Sequence, residues 1–400
     1  MNTLFDSMAD VIFADNHAST PVDPEVAAAM DAALRGAWGN PSSAHAHGKL
    51  AKEHCDWARE QVARLLGCAS SSVVFTSGAT EANNLALKSG LRAQLAEGRN
   101  EIVTTAIEHS SVLEVCKLLS ESERAQCRLR IVPVGLSGIV SAQEVLANVG
   151  PRTALVSVMQ ANNEVGTLQP VETIAEGAKA AGALTHVDAC QSFGRVPLDL
   201  SSVDMVTLSA HKMYGPKGVG ALYVNPSLRP RMSPEVAGGV HEEGLRGGTL
   251  NTPAIYGFGV ACDLMGCKWP TEREKVAGMR YALWSRIARA LGPERVRWNG
   301  TPDMAQRLPG NLNFTLIGVC PSMFSKAIEP YVSLSGAAAC KGPGASHVLK
   351  AMGDVGADGA AVRIGLGRFN DPRTDVDAIA SAVVSVAKRL YGSGCPVPAK

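Results

Sequence analysis

Lys212 lies in the run Ser209-Ala210-His211-Lys212-Met213-Tyr214-Gly215-Pro216-Lys217-Gly218, 24 positions after Asp188, which closes the apolar run Leu184-Thr185-His186-Val187-Asp188. A lysine amine forms a Schiff base with an aldehyde, and a buried carboxylate keeps a pyridine nitrogen protonated so that the ring accepts electrons. An amine, an acid and the hydroxyl–imidazole pair Ser209 and His211, near the ends of successive strands, are the parts that hold pyridoxal 5′-phosphate (PLP). Upstream, Ser77-Gly78-Ala79-Thr80-Glu81 follows a strand and opens a helix, whose free N–H groups suit a phosphate. An ordinary helix cap with a first-turn acid is the plain alternative for that run alone.

The remaining candidates each carry a plain reading beside the chemical one. Asp188 ends a strand expected to be buried, where a lone carboxylate is costly and a pyridinium would stabilise it; a helix cap is the alternative. Gln191, one turn later, can donate to the cofactor's ring oxygen. Asn163, in Gln160-Ala161-Asn162-Asn163-Glu164-Val165-Gly166, can reach that oxygen or a substrate carboxylate, or simply make a turn. His109, close behind the strand Ile102–Thr105, can lie over the ring and move protons. Arg246-Gly247-Gly248-Thr249 can bring backbone and a hydroxyl to an anion. Arg363 stands in an apolar strand, and its fork fits an α-carboxylate or an internal ion pair. Cys340, flanked by small residues, Gly, Pro and Lys341, is the nucleophile candidate outside the PLP pocket. His17, His45, His47, His54, His241 and His347 are read as structural.

These residues need a frame that brings strand ends together. Short apolar runs at Val73–Thr76, Ile102–Thr105, Leu129–Val134, Ala154–Met159, Leu184–Asp188, Met205–Ser209 and Ala221–Val224 alternate with helical patterns at Thr80–Ser89, Ser110–Leu119 and Val171–Ala181. Earlier, Asp23-Pro24-Glu25 starts one helix and an amphipathic stretch runs from about Lys49 to Leu66. Such alternation predicts an α/β fold with a mainly parallel sheet, and ligands gather at the carboxyl ends of its strands. From about Lys268 the texture changes. A charged helix at about Thr271–Leu291 precedes strands at Asn311–Leu316, Val332–Leu334 and Val362–Gly365, then a last helix from about Arg373 to Leu390. The expected division is a large PLP-binding domain over 21–267 and a smaller α+β domain formed by 1–20 and 268–400.

Bulk properties exclude other classes. A formal net charge of +1 without basic tracts gives no reason to expect nucleic-acid binding, and no apolar run approaches a membrane span. The acidic N-terminal decapeptide is no signal peptide, so a cytoplasmic protein is expected. Ten cysteines include no C-x-x-C pair, and the closest two, Cys262 and Cys267, have no histidine nearby, so neither a metal site nor disulfides are expected.

From Phe13 to Phe369 the chain resembles cysteine desulfurases of the NifS/IscS type, class-V aminotransferase relatives with PLP fold type I. The resemblance rests on Asp15-Asn16-His17-Ala18-Ser19-Thr20-Pro21, Gly39-Asn40-Pro41-Ser42-Ser43, Phe75-Thr76-Ser77-Gly78-Ala79-Thr80-Glu81, Glu108-His109, Asn162-Asn163-Glu164-Val165-Gly166, His186-Val187-Asp188-Ala189-Cys190-Gln191 and the Lys212 run, all in order. It implies an aspartate-aminotransferase-like architecture with a seven-stranded sheet. It implies that Lys212 binds PLP, that Asp188 faces the ring nitrogen, Gln191 the ring oxygen and His109 the ring face, and that Ala79, Thr80, Ser209 and His211 bind the phosphate. Thr249 would reach the phosphate of a neighbouring subunit, making a homodimer. Arg363 and Asn163 would hold the carboxylate of L-cysteine, and Cys340 would take its sulfur as a persulfide, releasing alanine for delivery to an acceptor in iron–sulfur cluster assembly or thiolation. Selenocysteine lyase, an aminotransferase and a non-catalytic sulfur-transfer scaffold are the rivals. The chain departs from the pattern in reading Ser-Gly-Ala-Ala-Ala-Cys, with only Lys341–Ala345 before Ser346-His347-Val348-Leu349, a short reach that implies slow turnover or a closely docked partner.

Overall fold

The computed structural model describes residues 11–122, 127–336, 346–353, 355 and 358–391. Its centre is a seven-stranded sheet of β2 (Val73–Thr76), β3 (Glu101–Thr105), β4 (Arg128–Val132), β5 (Thr153–Met159), β6 (Leu184–Asp188), β7 (Met205–Ser209) and β8 (Gly220–Val224), in the order β2-β8-β7-β6-β5-β3-β4. All neighbours are parallel except β8, which runs against both β2 and β7. Each strand lies within one or two residues of its expected place. Six of the seven are buried along their whole length, so they read as continuous apolar runs rather than alternating ones. The exception is the edge strand β4, whose Arg128 and Arg130 face outward and discourage further pairing.

The opposite edge is closed differently. The Phe75 amide on β2 donates to the Glu242 carboxylate at 2.7 Å, and Arg59 clamps the same carboxylate through two nitrogen atoms at 2.6 and 2.8 Å. A side chain thus stands in for the missing strand, and the ladder ends without an orphaned donor.

Helices cover both faces, and their starts follow local chemistry. Asp23 accepts from the Glu25 amide ahead of Pro24 and begins Pro24–Gly36; His45 caps Ala46–Leu66, which ends at left-handed Gly67. The largest departure from sequence expectation is the helix Thr252–Leu291, 40 residues long, which starts nineteen residues before the charged stretch and passes through Pro270. Packing overrides the local break: its first half lies on the two N-terminal helices and its second on the last helix, Asp375–Tyr391. This helix runs unbroken through position 268.

The C-terminal part builds a four-stranded antiparallel sheet from β9 (Val296–Trp298), β10 (Asn311–Ile317), β12 (Ser335–Gly336) and β13 (Gly359–Gly365), ordered β12-β13-β10-β9. The N-terminal β1 (Ile12–Phe13) pairs in parallel with β11 (Val332–Ser333), and Asp15 bridges to Gly365, bringing residues 12–20 against this sheet. The short strand β9 and the helix Pro321–Ile328 carry no signal that was recognised in the sequence. Cys340 lies outside the described residues.

Candidate active site

Five loops leave the carboxyl edges of β2, β3, β5, β6 and β7 and converge on one cleft of about 560 Å³. Its walls include Ala79, Thr80, His109, Asn163, Asp188, Gln191, Ser209, His211, Lys212 and Arg363. Residues between 79 and 212 in the sequence thus meet because parallel strands point their ends the same way, and Arg363 joins them from β13 of the other sheet. Thr249 does not join them: it is exposed on a loop outside the cleft of its own chain.

Lys212 projects from a short 3-10 turn directly after β7. Its amine donates to the His17 carbonyl at 2.9 Å and the Ala18 carbonyl at 2.7 Å, while Arg195 donates to the Lys212 carbonyl at 2.6 Å. Two residues on, Tyr214 adopts a left-handed conformation at φ 66°, rare for an aromatic residue. The Tyr214 amide donates to the Thr20 hydroxyl at 2.7 Å, and the Tyr214 phenol oxygen accepts from the Arg368 amide at 2.7 Å. The turn is therefore pinned on both sides of the lysine, as strained backbone at reactive sites commonly is.

Asp188 is 6% exposed. One oxygen accepts from the Cys190 amide and the other from the Asn83 side chain, both at 3.0 Å, with no ion pair to it among the described residues. A carboxylate so placed would be stabilised by a protonated ring nitrogen. Gln191 lies beside it, but its amide is engaged with His17: the nitrogen donates to the carbonyl and the oxygen meets Nδ1, each at 3.0 Å. His17, read from sequence as structural, therefore lines the cleft, and burial lowers its pKa to about 3. His347 was likewise read as structural and lines it too.

The phosphate end is legible in the backbone. Gly78, at φ 147°, turns the chain into the helix Ala79–Leu95, and Glu81 reaches back to accept from the Ser77 amide at 2.8 Å. Arg246 pairs with Glu81 at 2.9 Å, which lowers the acid's pKa against its partial burial. His211 is pushed down to about 4 by burial and by Lys212 and Lys217, so it is neutral near pH 7.

At the other end Arg363 crosses from β13. Its Nη2 binds Asp15 at 2.9 Å and its Nη1 the Asn163 carbonyl at 3.0 Å. Asp15 also accepts from Ser335 at 2.7 Å. Behind Asn163, Glu164 is hydrogen-bonded to Ser346, and burial raises it to about 7. Asp15, Glu164, Asn83 and Arg195 were not singled out in the sequence. The Asp15–Arg363 pair spans 348 positions, a separation no local pattern encodes.

Among the described residues, four buried polar atoms of cleft residues have no hydrogen-bond partner: Ser209 Oγ, His17 Nε2, Asn163 Oδ1 and Arg363 Nε. Native interiors rarely leave such atoms bare, so their convergence marks a site shaped for a polar ligand. Hydroxyl and helix amides at one end, a carboxylate in the middle and a guanidinium at the other fit PLP with an amino-acid carboxylate beside it.

The comparisons agree with this geometry. The family model described as aminotransferase class-V matches residues 12–379. A protein named cysteine desulfurase IscS from Anaeromyxobacter sp. (strain Fw109-5) is 40% identical over 386 residues, covering 95% of this chain and 93% of the relative. The chain belongs to the class-V aminotransferases, among the cysteine desulfurases of the NifS/IscS type. Among solved structures, a NifS-like protein superposes with a TM-score of 0.86 at 34% identity, covering 95% of this chain and 100% of its own. SspA, solved in complex with cysteine, superposes at 0.77 with 34% identity, covering 89% and 99%. Enzymes of this family use PLP, and the fold is PLP fold type I. Neither the selenocysteine-lyase nor the scaffold alternative is favoured.

The buried cysteines, Cys190 in the cleft wall among them, are poor nucleophiles. Cys55, Cys116, Cys127, Cys190 and Cys262 are buried, and desolvation raises each thiol above its ordinary value. No described helix is long and apolar enough to cross a membrane.

Proposed function

We propose that this chain is a PLP-dependent L-cysteine desulfurase that converts L-cysteine to L-alanine and passes the sulfur to Cys340. The observation that carries the reading is the placement of Lys212, Asp188 and Arg363 around one cleft. PLP bound there supplies an electron sink that weakens bonds at the substrate's α- and β-carbons. The protein's part is positional. Lys212 would carry the cofactor and move a proton at Nζ; Asp188 would face the ring nitrogen; Ala79, Thr80, Ser209 and His211 would hold the phosphate. His109, whose pKa burial lowers, would act at the ring face as a neutral imidazole. Arg363 and Asn163 would bind the α-carboxylate, orienting the thiol toward the segment that bears Cys340. The Cys340 thiolate would attack the substrate sulfur, forming the S–S bond of a persulfide as the substrate's Cβ–S bond breaks, and protonation of the three-carbon skeleton would leave alanine.

The same reading extends to assembly. Thr249, exposed and away from its own cleft, suits the phosphate of a second subunit in a homodimer. The large domain would comprise 21–267, with 1–20 and 268–400 forming the smaller one. A cytoplasmic enzyme handing sulfur to an acceptor protein, for cluster assembly or thiolation, completes the proposal; with only Lys341–Ala345 before Ser346, that acceptor must dock closely.

The decisive experiment incubates purified protein with PLP, reduces it with borohydride and maps the modified peptide. Modification at Lys212, alanine release from L-cysteine, and loss of protein persulfide in Cys340→Ala with the PLP chromophore retained are the expected results. Alanine release confined to selenocysteine, or persulfide unaffected by Cys340→Ala, overturns the corresponding part.

A further inference from the structure

His109 is the N-cap of the helix Ser110–Glu121, and its Nδ1 accepts from the Ser111 amide at 3.1 Å. The Ser111 hydroxyl lies 2.8 Å from the same nitrogen. Which of those two atoms donates is settled one step further back. Asn83 is fully buried on the neighbouring helix Ala79–Leu95, and its amide nitrogen contacts Ser111 Oγ at 2.8 Å and Asp188 Oδ2 at 3.0 Å. An amide NH2 has two hydrogens and accepts nothing, so one goes to the carboxylate and the other to the serine oxygen. With its oxygen accepting from Asn83, the Ser111 hydroxyl is left to donate to His109. Nδ1 thus faces two donors and must be bare, and the ring's single proton sits on Nε2, the edge turned away from the helix start.

We infer that Asn83 and Ser111 are positioning residues: the chain Asp188–Asn83–Ser111–His109 fixes His109 as the neutral Nε2–H tautomer and ties its protonation to the group that faces the cofactor ring nitrogen. Adding a proton at Nδ1 requires the hydrogen bond from the Ser111 amide to break and the hydroxyl to rotate, and it places positive charge at a helix N-terminus, which disfavours it further. The charged and titratable groups facing His109 pull in both directions. Asp188 favours the imidazolium, whereas Lys212 and His347 oppose it, as does desolvation. The neighbouring Glu108 contributes its carbonyl oxygen to His347 at 2.9 Å, holding that second ring beside the first. A histidine locked this way offers a hydrogen from Nε2 to the bound substrate–cofactor pair and resists becoming a competing cation beside Lys212. The inference rests on the proposed placement of the cofactor between His109 and Asp188.

Selective ¹⁵N-histidine labelling of the holoenzyme, with the His109 signal assigned by its absence in His109→Gln, reads the tautomer directly. Expected is a bare Nδ1 and a protonated Nε2 at neutral pH. Ser111→Ala removes one donor and should raise the His109 titration midpoint by about one pH unit, the weight of one hydrogen bond. The acid limb of kcat should move with it. Ser111→Thr, which keeps the hydroxyl, should restore both. A protonated Nδ1 in the wild type, or a His109 midpoint that Ser111→Ala leaves in place or that lies below the accessible range in both proteins, overturns the inference. Failure of borohydride trapping at Lys212 would instead remove the cofactor reading, since the tautomer is observed on the protein itself.

Discussion

Arg363 illustrates what a single side chain can and cannot do in this cleft. It is 2% exposed; one N–H of each terminal nitrogen is committed to the Asn163 carbonyl or to Asp15, and Nε has no partner among the described residues. A planar guanidinium can serve three directions at once; an ammonium on a flexible stem cannot hold the same geometry. Arg363→Lys should therefore raise KM for L-cysteine about tenfold or more, a loss of about 1.4 kcal/mol in binding. The visible absorption of bound PLP should stay as in the wild type. An unchanged KM in steady-state alanine release would take the arginine away from the substrate carboxylate. The residue itself was legible because a cation in an apolar strand demands an explanation. Its partner Asp15 was not, since nothing near position 15 in the sequence announces a contact at position 363. The same holds for Asn83: an asparagine in a helix looks unremarkable until the fold sets it between Asp188 and Ser111.

At the scale of elements, the phosphate cradle depends on how closely β8 approaches the Gly78 turn. A Cβ at Gly220 would lie 2.5 Å from the Leu208 carbonyl oxygen and 2.9 Å from Gly78 Cα, both backbone atoms that cannot rotate aside. Gly220→Ala should push the turn away from the sheet and reduce PLP affinity by about tenfold, since misplaced helix amides lose part of their hold on the phosphate. Titration of the apo protein with PLP, followed by absorbance, measures this; an affinity within twofold of wild type would show that the turn can shift without consequence. The strands were readable because buried parallel strands are short apolar runs bounded by Gly, Asp and Ser, which is a local property. The helix Thr252–Leu291 was half missed for the opposite reason. Pro270 is a local stop signal, but the helices packed along both halves determine the outcome, and Trp269 donates to the Arg195 carbonyl at 3.1 Å right at the proline.

For the molecule as a whole, buried ionisable groups set how stability follows pH. His17 and His186 fall to about 3 and 4 through burial, so the unfolded chain binds more protons than the native one below about 6.5 and stability declines as pH falls. Glu108 acts in the other direction. It is fully buried, accepts from Thr105 at 2.6 Å and the Met159 amide at 3.0 Å, and has its second oxygen without a partner. Desolvation, with a smaller push from Asp188, raises its pKa from 4.5 to about 8. Between those values the native state holds a proton that the unfolded chain has released, so the contribution of Glu108 is fully present below pH 4.5 and is lost as pH rises through about 8. Glu108→Gln keeps the shape and removes the titration. Its Tm relative to wild type should therefore improve from pH 5.5 to pH 9 by about 2 °C or more, given the size dependence of Tm shifts. Differential scanning fluorimetry across that range decides the matter. Parallel Tm curves would mean that Glu108 finds a solvating partner on ionising, and that the loop from β3 to His109 opens at alkaline pH instead of straining.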